Sequence, residues 1–66
     1  MTRMSLGITK NDDESWRECA ARYGRKYGLE SEVLDVFDEA RAAGESEADA
    51  AFIAVTEWDC ADLVDD

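Results

Sequence analysis

The chain has 66 residues, a formal net charge of −10, and 45% apolar residues, with two cysteines, no histidine and no proline. That length allows one domain at most, and a domain this small buries only about 60% of its unfolded surface, so its stability is marginal. The apolar content excludes a plainly disordered acidic tail, and no apolar run nears the roughly 18 residues of a membrane span. The opening "MTRMSLGITK" is too short and too polar for a signal peptide, so a compact cytosolic domain is expected.

Residues 1–10 alternate apolar and polar side chains at Met4, Leu6 and Ile8, which suits an extended arm or short strand. No partner strand is evident, so the arm is expected to pack alone or to pair with another copy. The helical domain then occupies residues 11–66. Asn11 with Glu14 forms a candidate capping box, Asp12, Asp13 and Glu14 suit the positive end of a helix dipole, and Trp16, Cys19, Ala20, Tyr23 and Tyr27 make one apolar stripe. A first helix over 12–27 is predicted, closed by Gly28 and weakened by about 1 kcal/mol at Gly24, where its end is expected to fray.

The second helix is predicted over 31–43, with Ser31 as N-cap, Val33, Val36, Phe37 and Ala40 inward, and Gly44 as its stop. Glu32, Asp35, Asp38 and Glu39 occupy its other face. Ser46 and Asp49 cap a third helix over 47–58, whose stripe of Ala48, Ala51, Phe52, Val55 and Trp58 is widened by Ala50, Ile53 and Ala54. After Trp58 the pattern decays, and Leu63 and Val64 either extend the helix or fold back. Short glycine turns imply antiparallel neighbours. The expected fold is therefore all-α, a small three-helix bundle with an extended N-terminal arm and a core of Trp16, Cys19, Tyr23, Val33, Phe37, Phe52, Val55 and Trp58.

The chemistry of catalysis is missing. Without histidine there is no neutral-range base, no serine or cysteine activated by one, and no glycine-rich phosphate loop. The acidic positions lack the oxygen-ligand spacing of an EF-hand. Two cysteines without histidine do not complete a structural zinc site. Cys19 and Cys60 are read as buried free thiols, with a disulfide as the alternative. Neither an enzyme, a metal site nor a cofactor is expected. A helix-turn-helix reading fails because the third helix carries no cation to meet phosphate. In "RYGRKYG", Tyr23 and Tyr27 are read as core residues, and Arg22, Arg25 and Lys26 as complements to the helix C-terminus or the acidic half.

The charge is divided unevenly. Residues 1–28 hold six basic and four acidic side chains, whereas residues 29–66 hold Arg41 alone against 13 acidic ones. A halophilic surface would be acidic throughout, and the first part is slightly basic. From Glu32 through Asp35 and Asp38 to Glu39 spans about 10 Å of helix, a charge density approaching that of a nucleic-acid backbone, with one charge per ~1.7 Å in a duplex. The leading expectation is a DNA-mimicking surface made of Glu32, Asp35, Asp38 and Glu39, with Glu47, Glu57 and Asp59 as a second patch. The partner would be a basic, DNA-binding protein surface, with no nucleic acid bound directly and no membrane. A small acidic regulatory or interaction protein without mimicry, or a halophilic protein, is the alternative.

In size, in the opening "MTRMSLGITKNDDESW" and in the acidic stretch "GESEADAAFIAVTEWD", the chain resembles the small acidic anti-CRISPR proteins of phages and mobile elements. The resemblance is to inhibitors of type I systems, with type I-C preferred. It implies a non-catalytic inhibitor that binds the surveillance complex in the host cytoplasm and blocks docking of target DNA.

Overall fold

The computed structural model describes the backbone of residues 4–65 and the side chains of residues 6–62. The chain runs β1 (Met4–Gly7), α1 (Trp16–Arg25), α2 (Glu30–Ala42), α3 (Glu47–Glu57) and β2 (Asp62–Asp65). The expected small helical bundle is present, and each helix packs on both others. Residues 1–3 of the arm and Asp66 lie outside the described residues.

The extended arm does not stand alone. Its residues 4–7 pair antiparallel with 62–65, in the register Met4↔Asp65, Ser5↔Val64, Leu6↔Leu63 and Gly7↔Asp62. The chain's own C-terminal segment is thus the strand partner that the sequence did not reveal, and Leu63 and Val64 fold back rather than extend α3.

The helix boundaries follow from their caps. Helix α1 starts at Trp16, four residues later than the Asn11 box implies, because Ser15 forms the complete box. The Glu18 amide donates to the Ser15 hydroxyl, and the Ser15 amide donates to the Glu18 carboxylate. At Asn11 only the carboxylate half exists, with the Asn11 amide donating to Glu14 at 2.9 Å. Ser31 does not cap α2. Leu29 is the N-cap and lacks a side-chain cap bond, because the turn that closes α1 runs directly into the next helix.

All three helices end in the same closure. The Leu29 amide reaches the Gly24 carbonyl and the Gly28 amide reaches that of Arg25. Glu45 and Gly44 do the same with Ala40 and Arg41, as do Cys60 and Asp59 with Val55 and Thr56. The residue at the turn is left-handed each time: Gly28 at φ 72°, Gly44 at 101° and Asp59 at 56°.

The core is Cys19, Ala20, Tyr23, Val33, Phe37, Ala50, Ala51, Ala54, Val55 and Cys60. Of the expected core, Cys19, Tyr23, Val33, Phe37 and Val55 are buried and Trp16 lies at the margin. Phe52 and Trp58 are each 40% exposed and Tyr27 is 56% exposed, so these three are corrections. Tyr27 and Trp58 lie just past the ends of α1 and α3, and for Phe52 the reason is visible in α3, which turns its small residues inward. Alanines let the helices approach closely, and the bulky Phe52 is left on the opposite side. Gly24, in the last turn of α1, also has a packing role. A Cβ there would stand 3.0 Å from the Glu30 Cα, the Leu29 carbonyl oxygen and the Val33 Cγ2.

Candidate partner-binding surface

Helix α1 carries the positive charge, and its arginines are engaged within the chain. Arg17 makes a two-pronged bond to Asp38 at 3.1 and 3.0 Å, tying α1 to α2. Arg25 meets Glu30 at 3.0 Å. Arg22 grips Glu14 through Nε at 3.2 Å and a terminal nitrogen at 2.9 Å, and also donates to the Thr9 carbonyl at 2.6 Å. Arg41 closes α2 by donating to the Glu45 carbonyl, and the Lys10 ammonium bonds the Asn11 and Glu14 carbonyls beside the Trp16 ring.

These pairings shift proton affinities in one direction. The Arg22 guanidinium, helped by the Asn11 amide, holds the Glu14 carboxyl down to about 2. Hydrogen bonds from Arg17 and Arg25 lower Asp38 and Glu30, and the Ser15 amide and hydroxyl lower Glu18. Each of the four carboxyls thus lies below its ordinary value, Glu14 furthest.

Of the seven candidate contact residues, Asp38 therefore differs from the rest because Arg17 neutralises it. Asp35, Glu39, Glu47, Glu57 and Asp59 are exposed and Glu32 is half-buried. None of these six, nor Asp49, forms an ion pair with a described residue. Glu32, Asp35 and Glu39 share the side of α2 that faces away from Val33 and Phe37. Glu47 stands at the start of α3, with Glu57 and Asp59 at its end. The two patches thus belong to neighbouring helices. At the end of α3, two carboxylates sit where the helix dipole is negative, and no basic residue occupies the last turn.

One clasp escaped sequence reasoning. The Tyr23 hydroxyl accepts the Thr9 amide at 2.7 Å and donates to the Asp62 carboxylate at 2.8 Å. It joins the arm, α1 and the start of β2. Thr9 is held from its other side by Arg22 and by the Cys19 thiol, which donates to its carbonyl at 3.5 Å. No local signal marks Tyr23 for this role, because both partners are remote in sequence.

Two open concavities flank α1. One, of about 330 Å³, is lined by Arg22, Tyr23, Arg25, Lys26 and Asp62. The other, of about 690 Å³, is lined by polar residues of the 11–18 segment together with Arg22, Arg25, Glu30 and Leu34. Their arginines are the ones already bonded to carboxylates. Cys19 and Cys60 are free and buried, and burial first, then the charges of Glu14 and Asp59 respectively, pushes each thiol up. No three metal-ligating side chains converge among the described residues. Nor is any described helix long and apolar enough to cross a membrane.

This is a small acidic three-helix bundle in which residues 4–7 and 62–65 pair as a two-stranded sheet. Comparison with protein-family models, with curated proteins and with solved structures gives no match for this chain.

Proposed function

We propose that the chain is a non-catalytic binding protein that presents its acidic α2–α3 surface to the positively charged, nucleic-acid-binding groove of another protein. The partner in this reading is a type I CRISPR surveillance complex in the host cytoplasm, and the acidic surface stands in for target DNA. One observation carries it: the arginines of α1 are bonded to Glu14, Glu30 and Asp38, while Glu32, Asp35, Glu39, Glu47 and Glu57 stand on packed helices without an ion pair to any described residue. Carboxylates held on rigid elements lose little freedom on binding, and opposite charge speeds encounter.

The test reverses Glu32, Asp35 and Glu39 together. Asp38 is left intact, because its reversal would break the Arg17 strap and confuse folding with binding. Single exposed ion pairs contribute only about 0–1 kcal/mol, so each single reversal should weaken binding to a purified type I-C complex only slightly, and the triple should abolish it. Affinity should also fall steeply with salt, and duplex DNA should compete. Unchanged affinity and salt dependence in the triple variant would leave only a solvated surface.

A further inference from the structure

Helix α3 is apolar on two sides. Ala50, Ala51, Ala54 and Val55 are buried against the other helices, while Phe52 is 40% exposed on the side facing away from them. Ile53 beside it is half-buried, and neither belongs to the core cluster or to the residues packed on its margin. The hydroxyl of Thr56, one turn on, is taken up by the Phe52 and Ile53 carbonyls at 2.8 and 3.1 Å, so it adds little polarity to this face. Phe52 and Ile53 are thus adjacent apolar side chains on an outward face with acidic residues a turn away, and an outward apolar patch rimmed by polar residues is the usual form of an interaction site.

The charge around this face selects what covers it. Asp49 precedes Phe52 and Ile53 by one turn and Glu57 follows Ile53 by one turn, and α3 contains no lysine or arginine. A second copy would set these carboxylates against their own equivalents, between two chains of net charge −10. A basic surface would neutralise them instead.

We propose that the outward face of α3, with Phe52 as its apolar anchor, docks a partner surface that is apolar at its centre and rimmed by lysine or arginine. This inference rests on the acidic-surface reading above and adds to it. DNA offers no apolar pocket-filler, so the contact has a component that a nucleic acid lacks. Aromatic anchors within a charged rim are the usual composition of specific protein interfaces, and here the rim would set the rate of encounter and the anchor the lifetime of the complex.

The experiment uses the full chain and two peptide probes of equal positive charge. One is a helical lysine–leucine peptide with a continuous apolar stripe, and the other is oligolysine. Wild-type protein should bind the amphipathic peptide at least tenfold more tightly. Phe52→Gln with Ile53→Gln, both on the outward face of α3, should remove that preference and leave oligolysine binding unchanged. Circular dichroism and thermal melting establish that the variant is folded. Equal affinity of the wild type for the two peptides would overturn the inference, as would a preference that survives both substitutions. So would a salt-resistant dimer that the substitutions dissolve, because the occupant would then be a second copy. Failure of the parent reading looks different: reversal of Glu32, Asp35 and Glu39 would leave oligolysine binding untouched.

Discussion

Asp59 is the residue where the chain departs from its own rule. The same helix closure uses Gly28 and Gly44 twice, but the third time it forces an aspartate to φ 56°. A left-handed conformation costs an L-residue about 1–2 kcal/mol, less for aspartate than for most, and a carboxylate at the negative end of α3 adds unfavourable electrostatics. Asp59→Gly should therefore stabilise the fold by up to about 1 kcal/mol, which would raise the melting temperature by roughly 4–8 °C in a domain of this size. A lower melting temperature would show that Asp59 makes a compensating contact. Glu14 predicts a pH dependence. Its carboxyl lies at about 2 in the fold against an ordinary 4.5. A depressed acid stabilises the fold above its unfolded value, and the contribution is lost as the pH falls through 4.5 towards 2. The difference in melting temperature between wild type and Glu14→Gln should accordingly be full at pH 6 and vanish near pH 2. A difference independent of pH would assign the effect to packing.

At the scale of elements, the contact between α1 and α2 depends on a missing side chain. Gly24 is poor for helix formation, by about 1 kcal/mol relative to alanine, yet its buried position allows Leu29, Glu30 and Val33 to approach. Two of the three atoms that a Cβ would meet belong to the backbone, which cannot rotate aside. Gly24→Ala should therefore destabilise by about 1–3 kcal/mol through overpacking, despite its better propensity. Urea unfolding measures this directly, and a stabilised variant would show that α2 can shift at no cost. The helical signals themselves were legible, since capping residues, glycine stops and three- to four-residue spacing are local. The shift of α1 from Asn11 to Ser15 arose because two overlapping boxes compete, and only the Ser15 box is complete in both directions.

For the whole molecule, the segments before α1 and after α3 are held together by a small sheet and a phenol. Isolated two-stranded sheets are marginal in water, so the Tyr23 bonds to Thr9 and Asp62 help hold β1 and β2 on the bundle. Tyr23→Phe keeps the ring in the core but removes both bonds, at an expected cost of about 1–3 kcal/mol. Amide hydrogen exchange at Leu6 and Leu63 should accelerate, while the helical circular dichroism remains. If exchange in the strands were unchanged, the sheet would be holding itself.

Amino-acid order alone determined the number of helices, the glycine stops of the first two, the inward stripe of α2 and the concentration of acidic residues after Gly28. Each of these depends on residues a turn apart or on simple composition. The tertiary structure decided the rest. The pairing of residues 4–7 with 62–65, the neutralisation of Asp38 by Arg17 and the clasp of Tyr23 all join residues far apart in sequence. Phe52 and Trp58 were placed in the core by their three- and four-residue spacing with Ala48, Ala51 and Val55, but α3 ends before Trp58, and its broad apolar pattern offered two possible inward faces for Phe52. The close fit of alanines against α1 and α2 selected one, because close packing between helices rewards the smallest side chains at the contact. That choice left the acidic α3 with an aromatic residue facing outward.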